Sequence, residues 1–316
     1  MKDIIPPVSV DIIENELQNA RLLRHTNYGG NIVYITTYLQ TPNILREIGR
    51  LRELTFRHAG GGTGKDCDLD SFDTSKNHPY KQLFVWNPEQ KEILGGYRYF
   101  ICDDGSDECY DHTRLSTSLY FKFSEKFIHR YLPHLMELGR SFVPPAYQST
   151  TGGRRSLFAL DNLWDGLGAL VINNPHIRFF FGKVTMYPHF NREARDLILY
   201  FLHKHFGDHE SLLVPYDPME LDLDREKLES IFTGTTYLEN YKILSQKVRA
   251  LAENIPPLIN AYMNLSPTMK TFGTVINHDF GDVEETGIMV TLKDMYVSKI
   301  NRHLASYSQD YELPSD

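Results

Sequence analysis

Four aspartates, Asp66, Asp68, Asp70 and Asp73, close the stretch AGGGTGKDCDLDSFD at residues 59–73, just after a helical pattern that carries Arg52 and Arg57. Glycines followed by carboxylates suggest a phosphate loop or a calcium loop, and the spacing argues against both. A phosphate loop of the G-x-x-x-x-G-K-[ST] type needs a first glycine and a magnesium-binding hydroxyl, where Ala59 and Asp66 stand instead. A calcium loop counted from Asp66 needs glycine sixth and glutamate twelfth, and it has Ser71 and Asn77. No metal is expected. The DFG at 279–281 lacks the other parts of a kinase site.

A third chemistry uses the same carboxylates. Arg98 lies in GGYRYF (95–100), and Glu137 and Arg140 lie in ELGRSFV (137–143). Unpaired charge is costly to bury, so arginines inside apolar segments call for carboxylate partners. Strand alternation puts Glu137, Gly139 and Ser141 on one face, and Arg140 with Leu138 on the other. Such a cluster is either a structural ion-pair network or a functional site.

The elements that must hold these groups follow from periodicity. Residues 31–39 read as a strand, then Thr41 and Pro42 open a helix with Ile44, Ile48, Leu51 and Thr55 on one face. Residues 82–87 and 92–102 read as a hairpin, 124–132 as a helix and 135–143 as a strand. A helix over 156–172, a buried strand over 177–187 and a helix capped by Asn191 complete a β-α-β-β-α-β-α-β-α order up to Gly207. Helices near 238–254 and 258–264, strands near 271–277 and 287–292, and a last helix follow. The expected class is α/β (α+β): a mixed central sheet flanked by helices over 1–207, with an α/β extension over 208–316 packed on it.

The 316 residues are 41% hydrophobic and 23% charged, an ordinary globular composition. A net charge of −8 gives no global basic field, so no nucleic-acid partner is expected. Cys67, Cys102 and Cys109 make neither a metal-ligand spacing nor an even disulfide set. The N-terminal MKDIIPPVSV has no apolar leader, and no apolar run nears the ~20 residues that span a bilayer. A cytoplasmic location is expected, with peripheral contact at the inner membrane surface left open.

LRELTFR (51–57), DLDSFD (68–73), GGYRYF (95–100) and ELGRSFV (137–143), in that order, resemble the acyl-homoserine-lactone synthases. They resemble still more the ornithine-lipid and glycine-lipid type N-acyltransferases, called haemolysin-like, which share the GNAT-like fold. YKQLFVWN (80–87), LFALDNLWDGLG (157–168), FFGKVTMYP (180–188) and IPPLINAYMNL with INHDFG (255–281) are similar to the lipid branch, so the resemblance spans about residues 20–295. It implies transfer of a long-chain fatty acyl group, 3-hydroxylated or not, from acyl carrier protein to the α-amine of a small amino acid, glycine first, in aminolipid synthesis. The alternatives are a signal synthase that acylates S-adenosylmethionine, and a GNAT-fold protein with another acyl thioester. No cofactor is held permanently; an acyl-phosphopantetheine thioester is the co-substrate.

Under that resemblance Glu137 is the first choice of general base for the ammonium. Asp70, Asp73, Arg57, Arg98 and Arg140 form the charged network that shapes the acceptor site, one arginine clamping the substrate carboxylate. Phe56, Ser141 and Trp164 line the substrates. Tyr187 either protonates the leaving thiolate or is a packed aromatic. Backbone amides where strands 135–143 and 177–187 part serve the oxyanion. Arg154, Arg155, Lys183, Arg192 and Arg195 are either a docking patch for an acidic carrier protein or a solvated basic face. YQSTTGGRRS (147–156) departs from the usual pyrophosphate loop, which disfavours coenzyme A as donor. Gly60–Gly62 and Gly64 are expected to form a mobile loop closing over the thioester.

Overall fold

The computed structural model describes residues 1–102, 111–148, 154–297 and 307. In chain order the elements are α1 (Val10–Leu17), β1 (Arg21–His25), β2 (Ile32–Thr36), α2 (Pro42–His58), α3 (Ser71–Thr74), β3 (Lys81–Asn87) and β4 (Glu92–Ile101). Then come β5 (Phe121–Phe123), α4 (Glu125–Arg130), β6 (Leu135–Phe142), α5 (Arg154–Asn173), β7 (Phe179–Met186), α6 (Arg192–Phe206) and β8 (Leu213–Pro215). The last are α7 (Arg225–Ile231), α8 (Tyr237–Ala250), α9 (Pro257–Met263), β9 (Lys270–Asn277) and β10 (Val283–Thr291). This is the expected α/β class, with α1, β1, α3, β5, β8 and α7 added to the expected elements; the expected last helix lies almost wholly outside the described residues.

The chain divides into two compact units. The first comprises Met1–Cys102, Met136–Arg178 and Tyr296–Asp316. Its strands pair antiparallel in the order β1-β2-β3-β4-β6. The α5 helix lies on this sheet through Gly166, where a Cβ would meet Leu83 at 2.9 Å and Val33 at 3.0 Å. In α2 the expected face is buried at Ile44, Ile48, Leu51 and Thr55, and Arg52 and Glu53 are buried with them. Pro42 opens α2 as expected, but the Thr41 hydroxyl bonds to Thr36 Oγ1 at 2.7 Å instead of capping the helix.

The second unit comprises Asp103–Leu135 and Phe179–Met295. There β10 lies between β7 and β9, antiparallel to both, and β5 pairs with β8. Asn191 caps α6 by accepting from the Ala194 amide at 3.1 Å. Phe123, Phe127, Phe181 and Phe272 form one aromatic cluster in its core. Among the described residues no helix is long and apolar enough to cross a membrane.

Candidate active site

The aspartate stretch is carried to the sheet by two local devices. Gly49 in α2 has no side chain to hold off residues 67–69; a Cβ there would meet Cys67 Sγ at 2.6 Å and Leu69 Cγ at 2.9 Å. Asp70 is the N-cap of the short α3 and forms a capping box with Asp73: Asp70 Oδ1 accepts from the Phe72 and Asp73 amides at 2.9 and 3.1 Å. With the loop fixed in this way, three carboxylates face arginines from three elements.

Arg98 of β4 donates to Asp70 Oδ2 at 2.7 Å and to Asp73 Oδ2 at 3.3 Å. Arg52 of α2 donates to Asp73 Oδ2 at 3.1 Å and to Gln82 Oε1 at 2.5 Å, and Gln82 donates back to Asp73 Oδ1 at 2.9 Å. Arg140 of β6 lies 2.9 Å from Asp68 Oδ2 and 4.0 Å from Asp70 Oδ2. Arg52, Asp68, Asp73 and Arg98 are all buried, so this is a matched charge network with little solvent screening. Burial pushes Asp68 up, against Arg140 and Arg52. Burial also acts to raise Asp70, but the Arg98 charge and hydrogen bond, with Arg140, carry it well below the usual carboxylate range. Burial would lower Arg98, and Asp73 and Asp70 more than offset it.

Arg140 corrects the alternation expected for its strand. Arg98 pairs with Gly139 and Gly96 with Phe142, so β6 takes three steps to β4's two and bulges at Arg140 and Ser141. Arg140 has φ of +48°, a left-handed conformation that is costly for a branched-free but bulky side chain. That turn brings its guanidinium to Asp68, beside the carboxylates that Arg98 holds, rather than to an opposite face. Gly96 permits the bulge: a Cβ there would meet the Leu83 carbonyl and the Phe142 ring, each at 2.9 Å.

Glu137 stands opposite Phe100 on the same strand pair and is 1% exposed. The Tyr80 hydroxyl donates to Glu137 Oε2. The Tyr80 ring stacks on Phe100 at 5.1 Å, and the Arg98 guanidinium lies 5.1 Å from its centroid. Tyr80 therefore connects Glu137 to the arginine–aspartate network.

Other expected members lie elsewhere. Arg57 does not reach Asp70 or Asp73 among the contacts seen. It pairs with Glu53 one turn back at 2.7 Å and donates to the carbonyls of Lys2 and Lys65. Glu53, fully buried, also accepts from Thr63 N at 3.1 Å, Thr63 Oγ1 at 2.7 Å and Gly64 N at 2.8 Å. The far end of the glycine loop, at Thr63 and Gly64, is thus anchored to α2. Phe56 and Trp164 are buried on α2 and α5, and Ser141 is half-buried in the bulge.

Tyr187, Lys183, Arg192 and Arg195 belong to the second unit. Burial, helped by Glu285, pushes the Tyr187 phenol up to about 12. Lys183 shares a sheet face with Phe181, and its side chain is 12% exposed and paired with Glu285 at 2.5 Å, which corrects its expected place on an open docking surface. Arg195 is likewise buried, held by Asp196 and Glu284 at 2.7 Å each. Arg192 is exposed and paired with Asp222 at 2.5 Å. Arg154 and Arg155 begin α5; their side chains, and residues 149–153 of the expected phosphate loop, lie outside the described residues.

Sequence reasoning put Arg52 and Asp68 in the charge cluster but left them out of the acceptor-site network, and it missed Gln82 and, as the partner of Glu137, Tyr80. A signal existed for Arg52 and Gln82, which are polar residues set in otherwise apolar helix and strand faces.

A family model described as an acetyltransferase (GNAT) domain matches residues 51–155, a span that holds every member of this network. A glycine N(alpha)-acyltransferase of Phocaeicola vulgatus is 52% identical over 311 residues, covering 98% of this chain and 95% of that protein. A protein of the same name from Bacteroides thetaiotaomicron is 53% identical over 314 residues, covering 98% of this chain and 92% of its own length.

Proposed function

The chain belongs to the family of GNAT-like amino-acid N-acyltransferases and is an enzyme of that kind; from that premise we propose that it joins a long-chain fatty acyl group to the α-amine of glycine. The observation that carries the acceptor is the near full-length similarity to two proteins named for glycine. The donor in this reading is an acyl carrier protein, the product an N-acylglycine for aminolipid synthesis. The reaction then runs in the cytoplasm, with the chain touching the inner membrane surface only peripherally.

The neutral amine attacks the thioester carbonyl, a C–N bond replaces the C–S bond, and the carrier thiol leaves. Glu137 is the base that takes the ammonium proton. We assign the relay of that proton to the hydroxyl of Tyr80, which is buried beside Glu137 and donates to it. Asp70, Asp73, Arg98 and Arg140 hold the β4–β6 strands and Tyr80 in position for that transfer. Backbone amides in the bulged stretch of β6 are the donors we assign to the oxyanion. Tyr187, at about 12, is a weaker acid than a thiol at roughly 8.5. Solvent, rather than Tyr187, delivers the proton to the leaving thiolate. Arg154, Arg155 and Arg192 are the cations left for carrier docking.

Purified protein incubated with long-chain acyl carrier protein and a panel of amino acids should give N-acylglycine by mass spectrometry. The absence of any N-acyl amino acid would refute the reading. Product from acyl-coenzyme A alone would refute the carrier-protein donor.

A further inference from the structure

Tyr80 immediately precedes β3 and is gripped from α3 as well as from the sheet. Its amide donates to the Phe72 carbonyl at 2.8 Å. The Phe72 ring meets the Tyr80 ring edge-on, with centroids 5.5 Å apart and planes at 70°. Phe100 of β4 stacks on Tyr80 at 5.1 Å with planes at 28°. Phe72 thus fixes both the backbone and the ring of Tyr80.

Phe72 is also tied to the arginine–aspartate network. Its amide donates to Asp70 Oδ1 at 2.9 Å. The Arg98 guanidinium lies 5.8 Å from the Phe72 centroid and 5.1 Å from that of Tyr80. Arg98 in turn holds Asp70 and Asp73, which flank Phe72 in the chain. The contacts close a ring: Asp70, Arg98, Tyr80, Phe72 and back to Asp70. Tyr80 is 1% exposed, whereas Phe72 is only half-buried and contributes less apolar burial than a core aromatic. Its edge-on contact is directional, and it restricts the tilt of the ring whose hydroxyl donates to Glu137.

We propose that Phe72 is a positioning residue for the proton transfer. It keeps the Tyr80 hydroxyl on Glu137, and it passes to Tyr80 the placement of α3 that Asp70, Asp73 and Arg98 set. Its part is played through Tyr80. This assignment rests on the reading in which Tyr80 relays the proton to Glu137, and it gives the phenylalanine of DLDSFD a role apart from the aspartates around it.

The test is a double-mutant cycle on kcat for N-acylglycine, with urea unfolding of the same proteins. Phe72→Leu keeps an apolar side chain and removes the ring; Tyr80→Phe keeps the ring pair and removes the hydroxyl. Phe72→Leu should lower kcat roughly three- to tenfold with the glycine KM unchanged, the rate equivalent of one aromatic pair. In the Tyr80→Phe background the same change should leave kcat alone, while its cost in stability should match that in the wild-type background. Phe72→Tyr, which keeps the aromatic edge, should retain the wild-type kcat. Phe72→Met is measured beside Phe72→Leu, so that poor folding of one variant does not decide the question. An equal loss of kcat in both backgrounds, or a wild-type kcat in a folded variant lacking the ring, overturns the proposal. A Tyr80→Phe enzyme with undiminished kcat overturns instead the relay reading on which the proposal stands.

Discussion

Replacing Asp70 with asparagine separates two tasks of one side chain. Oδ1 caps α3 through the Phe72 and Asp73 amides, and Oδ2 holds Arg98 at 2.7 Å. Asparagine caps a helix about as well as aspartate, so the cap survives and the charged bond is lost. A hydrogen bond between charged groups is worth about 1.5–3 kcal/mol, and Asp70 is a quarter exposed, which screens it toward the low end. The expected cost of Asp70→Asn is therefore about 2 kcal/mol at pH 7, read as a lower urea midpoint with an unchanged m value.

The sign with pH follows from the shift. Asp70 is held below its unfolded value of roughly 3.9, so its contribution is complete above that pH and is lost as pH falls through the folded value. The gap between wild type and variant should stay constant from about pH 8 to 5 and close below about pH 4. Asp68 shifts the opposite way: its penalty grows as pH rises above the unfolded value, is common to both proteins, and drops out of the difference. A gap as wide at pH 3 as at pH 7 would show that the charge of Asp70 is not the source of the difference and would refute the network argument.

Glu137→Gln should lower the kcat for N-acylglycine by roughly 10²–10⁴-fold with thermal stability little changed, measured by product formation beside a melt. Tyr80→Phe should lower kcat while leaving the glycine KM in place; a KM effect alone would remove Tyr80 from the proton path. Glu53→Ala should cost about 3 kcal/mol and speed proteolysis within residues 60–64, because the Gly64 and Thr63 amides lose their acceptor. Gly166→Ala should cost roughly 1–3 kcal/mol by driving a methyl into Leu83 and Val33, checked by urea unfolding.

The sequence made local periodicity visible and long-range partners largely invisible. The helix over 42–58, the hairpin of β3 and β4, and the Asn191 cap all follow from spacing within one segment. Arg98 and Arg140 could be matched to Asp70 in outline because buried charge needs opposite charge. Which carboxylate each arginine meets could not be read. Asp68 and Arg140 are 72 positions apart, and their contact depends on a β6 bulge that no alternation rule contains. Lys183 was misplaced for a related reason: a lone lysine in an apolar strand reads as exposed, and Glu285, its partner, lies on another strand. Short strands such as β5 and β8, at three residues each, are below the length at which periodicity distinguishes a strand.

The bulge at Arg140 and Ser141 has a consequence for laboratory evolution. A bulky residue at φ of +48° and a gap in the β4–β6 ladder both cost stability, of the order of 1–3 kcal/mol for such backbone strain. A screen that rewards heat resistance alone would favour changes at 139–141 that relieve this strain, such as glycine at position 140 or loss of one residue. The survivors would be sturdier proteins with no guanidinium held against Asp68. Stabilising this enzyme without disarming it means drawing beneficial changes from elsewhere in the sheet, and scoring turnover in every round.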